Sequence, residues 1–118
     1  GQQSRAALAR ALVTSPSALL MDEPFAALDA ITREELQEDL LDLVAMRQTT
    51  VLFVTHDIAE AVYLGDRVAL MDKGQVIPVA SIEMSRPRHA DCRYEKKFVE
   101  SCQHIRAAMT LPAGQAVW

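Results

Sequence analysis

Three side chains in this sequence have the types and positions to work on a phosphate: Asp22, Glu23 and His56. Asp22 and Glu23 close the apolar run Leu19-Leu20-Met21, and His56 follows the run Thr50 to Val54. Of two adjacent carboxylates, one can hold a divalent cation on a nucleotide while the other orients or deprotonates an attacking water. Taken alone, the acid pair reads equally well as a strand that ends in solvated acids. Joined by an imidazole, it makes a phosphoryl-transfer site.

The elements that must bring these groups together can be read along the chain. An alanine-rich helix is expected over Gln2–Thr14, with Ala6, Ala9, Leu12 and Val13 on one face, ended by Ser15-Pro16. A buried strand follows over Ala18–Met21. A helix over Ala30–Met46 sets Leu36, Leu40, Leu43 and Val44 against Glu34, Glu38 and Asp42. Its cap is either Asp29 or Thr32, the latter forming a capping-box pattern with Glu35. Thr50–Val54, apolar and β-branched, reads as a second buried strand. Asp57, with Glu60 three residues on, caps a short helix to Leu64 that Gly65 closes. Arg67–Met71 and Gln75–Val79 form a hairpin around Asp72-Lys73-Gly74, with Pro78 confining the second strand to an edge. Ser85-Arg86-Pro87-Arg88 reads as a linker. A last helix over Arg93–Met109 is expected to turn Phe98, Val99, Cys102, Ile105 and Met109 inward, with a frayed tail after Thr110. Alternation of this kind argues for an α/β fold with a parallel sheet. Two parallel strands then end at one edge, the first presenting Asp22 and Glu23 and the second His56.

At 118 residues the chain is at most one ordinary domain, and its net charge of −4 gives no electrostatic reason to expect a nucleic-acid partner. No apolar stretch reaches the roughly 20 residues that span a bilayer, and no signal peptide is visible. Cys92 and Cys102 read as reduced thiols. With His89 and His104 they lack paired metal-ligand spacing and read as ordinary surface and helix residues. The chain opens on Gly1 with residues that already look helical and uncapped, the expectation for a fragment.

The ordered motifs resemble the C-terminal half of an ATP-binding cassette (ABC) transporter ATPase. Gly1-Gln2 is similar to the end of the Leu-Ser-Gly-Gly-Gln signature, and Arg5 with Ala9-Arg10-Ala11-Leu12 to the helix after it. Leu19 to Glu23 resembles Walker B, Ala26-Ala27-Leu28-Asp29 the D-loop, and Val54-Thr55-His56-Asp57 the switch-histidine loop. Met21 to Phe25, Phe53 to Ile58, Glu60 to Leu64 and Arg86-Pro87-Arg88 resemble the nitrate, sulfonate and taurine importer ATPases. Phe25 after Glu-Pro fits importers of several substrates.

The resemblance implies the C-terminal part of a P-loop NTPase three-layer fold with a mainly parallel sheet. Residues 1–88 would be ATPase domain and 89–118 a C-terminal helix and tail. It implies ATP and Mg²⁺ as cofactors, with Asp22 on the metal, Glu23 as general base and His56 on the γ-phosphate. Asp29 would lie at a dimer interface, and Gly1 and Gln2 would approach the nucleotide of the opposite subunit. The implied partners are a second ATPase subunit, a membrane permease and, indirectly, a solute-binding protein. The implied place is the cytoplasmic face of the membrane. No Gly-x-x-Gly-x-Gly-Lys-Ser/Thr loop occurs in the sequence, so by resemblance the chain carries half a catalytic apparatus. It would leave an open slot between Thr50–Val54 and Arg67–Met71 and be poorly stable alone. A non-catalytic remnant and an ABC ATPase of DNA repair or translation are the competing readings.

Overall fold

The computed structural model describes residues 17–110 together with Ala6 and Arg10, both helical. The rest of the helix expected over Gln2–Thr14, and the tail after Thr110, lie outside the described residues. The chain divides into two compact units, residues 1–56 and 57–118.

In the first unit, β1 (Ala18–Asp22) and β2 (Thr50–Val54) are joined through α1 (Ala30–Arg47). The two apolar runs pair in parallel, from Ala18 opposite Thr50 to Asp22 opposite Val54. Their side chains alternate between faces, as strand geometry requires. Leu19, Met21, Val51 and Phe53 are half-buried. Leu20 and Leu52, directly opposite each other, are both 66% exposed. Of the two cap candidates for α1, Asp29 caps: its carboxylate accepts from the Thr32 N–H at 2.8 Å and from the Thr32 hydroxyl at 3.2 Å. The helix buries Leu36 and Leu40, turns Glu34, Glu38 and Asp42 outward, and ends at Gln48 in the left-handed region.

The second unit holds α2 (Ile58–Leu64), β3 (Arg67–Asp72), β4 (Gln75–Ser81), a 3-10 turn (Ala90–Tyr94) and α3 (Lys96–Met109). Asp57 caps α2 by accepting from the Glu60 N–H at 3.2 Å. Gly65 closes α2 for a reason other than a left-handed backbone, since its φ is −85°. A Cβ there would sit 2.8 Å from the Ala61 carbonyl oxygen, so close approach demands glycine. β3 and β4 form an antiparallel hairpin around Lys73 and Gly74, whose φ values of 50° and 78° match the turn that suits strand twist. The register slips between Val68 and Ala69, which pair with Ala80 and Pro78 and leave Val79 as a bulge residue. The Val79 carbonyl accepts from His104 Nε2 at 3.1 Å, which ties α3 to β4.

Three expectations need correction. The parallel ladder and the antiparallel hairpin are as expected, but β1 and β2 are not buried strands: their residues are half-buried or exposed, with none fully buried. The C-terminal helix is broken: residues 90–94 form a 3-10 turn, Glu95 is extended, and α3 begins at Lys96. Tertiary contacts accompany that break, because Cys92 is buried and the Arg93 guanidinium lies 4.1 Å from the centre of the Tyr63 ring. On α3, Phe98, Ile105 and Ala108 are buried and Cys102 is half-buried, but Val99 and Met109 are exposed. Val99 lies about 100° round the helix from Phe98, and Met109 is the final helical residue.

The third correction concerns the linker. Arg88 is buried and donates through Nη1 to the carbonyls of Val62 at 3.2 Å, Tyr63 at 3.1 Å and Gly65 at 2.6 Å, and through Nη2 to Met84 at 3.2 Å. Arg86 donates to the Leu64 carbonyl at 2.6 Å and to Asp66 Oδ1 at 2.8 Å. The Val62, Tyr63 and Leu64 carbonyls are among those that a helix end leaves without intrahelical donors. The segment is a clamp on the C-terminus of α2. Burial, with the neighbouring Arg86 charge second, holds the Arg88 guanidinium below its ordinary pKa. Among the described residues no helix is long and apolar enough to cross a membrane.

Candidate active site

The first unit brings Glu23 and the His56 imidazole into contact, with Asp22 ending the strand just before Glu23. Because β1 and β2 are parallel and level at Asp22 and Val54, their following residues emerge at the same edge. Hydrogen bonding continues one step past the ladder, with the Glu23 N–H donating to the Val54 carbonyl at 2.8 Å. Glu23 then takes a φ of 47°, a left-handed backbone that a residue with a side chain adopts only when its surroundings impose it. Its Oε1 lies 2.8 Å from His56 Nε2. An ionised carboxylate has only acceptors, so the imidazole N–H donates. The Glu23 side chain is 33% exposed and that of His56 92% exposed. Both groups are within reach of a ligand.

Asp22 is exposed at the end of β1. Among the described residues no group of three or more carboxylate, imidazole or thiol side chains could enclose a metal ion. A lone carboxylate still fits Mg²⁺, which keeps several waters and takes further oxygens from phosphates. Asp29 occupies both its carboxylate oxygens on Thr32. The Thr32 N–H, and then its hydroxyl, hold the Asp29 carboxyl below the usual value. What the geometry shows for Asp29 is a helix cap at the end of the turn that starts at Glu23. Gly1 and Gln2 lie outside the described residues. Cys92 and Cys102 are free thiols in the second unit, and burial pushes both thiols up.

Two residues that hold the turn were not singled out for this role from the sequence. Arg33 reaches back from α1 to donate to the Leu28 carbonyl at 3.0 Å. Phe25 is 3% exposed, and its ring centre is 5.8 Å from that of Phe53 on β2. The signal was available only as an aromatic residue near each half of the chemistry-bearing pattern, Phe25 just after Glu23 and Phe53 just before His56.

No protein-family model matches the chain. Curated relatives do. The aliphatic sulfonates import ATP-binding protein SsuB 1 of Nocardia farcinica is 52% identical over 103 residues, covering 84% of this chain and 42% of that protein. The bicarbonate transport ATP-binding protein CmpD of Synechocystis sp. is 48% identical over 94 residues, 77% of this chain and 33% of that protein. The nitrate import ATP-binding protein NrtD of Synechococcus elongatus is 47% identical over 98 residues, 80% and 36% respectively. The chain spans less than half the length of these relatives. With Asp22, Glu23 and His56 in one unit, and with this identity over most of its length, the chain belongs to the ATP-binding subunits of ABC importers and corresponds to a part of them.

Proposed function

We propose that the chain is part of an ATP-hydrolysing importer subunit of the nitrate, sulfonate and taurine type, with Glu23 and His56 acting at the terminal phosphate of ATP. The observation that carries this is the 2.8 Å contact of Glu23 with His56 at the adjoining ends of two parallel strands. Glu23 takes a proton from the attacking water as the bond from the γ-phosphorus to the ADP oxygen breaks. His56 directs an N–H at a γ-phosphate oxygen and links that phosphate to Glu23. Mg²⁺, when bound, neutralises charge on the phosphates, and Asp22 is the residue that would hold it, through water.

In this reading Asp29, besides capping α1, lies at the contact between two ATPase subunits. Gly1 and Gln2 approach the nucleotide of the opposite subunit. The remaining partners are a permease and, through it, a solute-binding protein, with the subunit peripheral on the cytoplasmic side of the membrane. The three-layer fold lacking a phosphate-loop strand belongs to the same proposal. The outward-facing Leu20 and Leu52 support a larger domain, because parallel sheets are ordinarily covered on both faces.

The test is Glu23→Gln in the full-length subunit assembled with its permease. ATP binding should persist while phosphate release falls by about 10²- to 10⁴-fold. Steady-state hydrolysis at the wild-type rate would remove Glu23 from the catalytic role.

A further inference from the structure

We infer that Phe25 is a positioning residue for the Glu23–His56 pair. The inference rests on the function proposed above and deepens it. The contact between Glu23 and His56 cannot position itself, because a side-chain contact in which one partner is almost fully exposed is screened and weak. Its geometry must be set by what lies beneath it. Glu23 stands just past the last residue of β1, on a left-handed backbone that costs free energy to hold. Three anchors act there. The first is the Glu23 N–H on the Val54 carbonyl at 2.8 Å. The second is the start of the turn itself, where the Ala26 N–H reaches the Glu23 carbonyl at 3.4 Å and the Leu28 N–H reaches the Phe25 carbonyl at 3.2 Å.

The third anchor is the Phe25 side chain. It is almost completely buried, and its ring meets Phe53 at 5.8 Å with the planes inclined by 42°, within the range of favourable aromatic pairs. Phe25 is two residues after Glu23, and Phe53 is three residues before His56. The ring pair therefore fastens the segment that carries the carboxylate onto the strand that carries the imidazole. Without it, the turn is held to β2 by one backbone bond, and a small rotation at Glu23 would swing Oε1 away from Nε2. A shift of about 1 Å in a catalytic group is enough to slow the reaction on the order of 10²-fold.

The experiment is a double-mutant cycle on ATP hydrolysis in the full-length subunit, using Phe25→Ala, Phe25→Leu and Glu23→Gln. Phe25→Ala should lower kcat by roughly 10- to 100-fold with the KM for ATP unchanged. Phe25→Leu, which keeps a buried apolar side chain, should recover most of the thermal stability but only part of kcat. In a Glu23→Gln background, Phe25→Ala should cause no further loss, because the group it positions is gone. Additive losses, or a fall in kcat that follows melting temperature across both Phe25 variants, would overturn the inference and leave Phe25 as core packing. If Glu23→Gln alone hydrolyses ATP normally, it is the catalytic reading that fails, and the cycle separates the two outcomes.

Discussion

The two units use charged side chains in opposite ways. In the first, the half-buried Glu23 and the exposed His56 meet at 2.8 Å, above a turn held by backbone bonds and an aromatic pair. In the second, Arg88 is buried with its Nη atoms on four main-chain carbonyls, and Arg86 beside it holds a fifth. Removing an exposed group costs little stability, and that freedom leaves it available for a ligand. Removing a buried group that donates to several carbonyls leaves them without donors, so its contribution is structural. Charge alone is thus a poor guide to chemistry in this chain, whereas exposure combined with a fixed partner distance is a good one.

This contrast can be broken by pairing rate with stability. Glu23→Gln should show the largest effect, the loss of phosphate release described above, with the melting temperature unchanged. A loss of melting temperature that parallels the rate would erase the distinction between the units. Arg88→Ala should do the reverse to the second unit, destabilising it by about 3 kcal/mol through the orphaned carbonyls at the end of α2. Urea denaturation should report that loss, and hydrogen exchange should localise it to residues 58–66. Arg88→Lys, with three donors on a single nitrogen, should recover only part of it. Unchanged protection in Arg88→Ala would mean that the clamp is incidental.

Gly65→Ala should come next, at roughly 1–3 kcal/mol, because the added Cβ would meet the Ala61 carbonyl oxygen at 2.8 Å and the backbone must shift. Its check is the urea midpoint compared with that of Gly74→Ala, where strain arises from a φ of 78° and no atom crowds the new Cβ. The smallest effect concerns Asp29. Its folded carboxyl titrates below the ordinary value of 3.8 because it accepts from Thr32. The cap therefore contributes stability above that value and loses it as the pH falls through the folded pKa. Asp29→Asn should flatten the acid side of the melting-temperature profile and change little near neutrality, since the group is exposed and screened. An unaltered acid limb would show that the cap contributes nothing through its charge.

Much of the local structure was legible in advance. Apolar runs ending in acids or an imidazole became β1 and β2 with the expected pairing. Leu36 and Leu40 turned inward from the helix that follows, and Asp57 and Gly65 bounded α2. Each of these depends on neighbours a few residues away, and a one-dimensional pattern records such neighbours directly. The clamp was not legible. Apart from the Met84 carbonyl, the acceptors of Arg86 and Arg88 lie 20 or more residues earlier, and nothing local separates a buried arginine from a solvated one. The break at Glu95 was missed for the same reason, since the preceding turn packs against distant Tyr63.

By itself the sequence determined the strands, the caps and the order in which an acid pair and a histidine follow two apolar runs, because these rest on side-chain type and short-range periodicity. Only the tertiary structure decided that Glu23 and His56 meet at hydrogen-bonding distance, that a phenylalanine pair fastens the turn beneath them, and that two arginines of an apparent linker are spent on a helix end. Those outcomes depend on which distant groups share space, and contact between residues far apart in the chain is a property of the folded backbone.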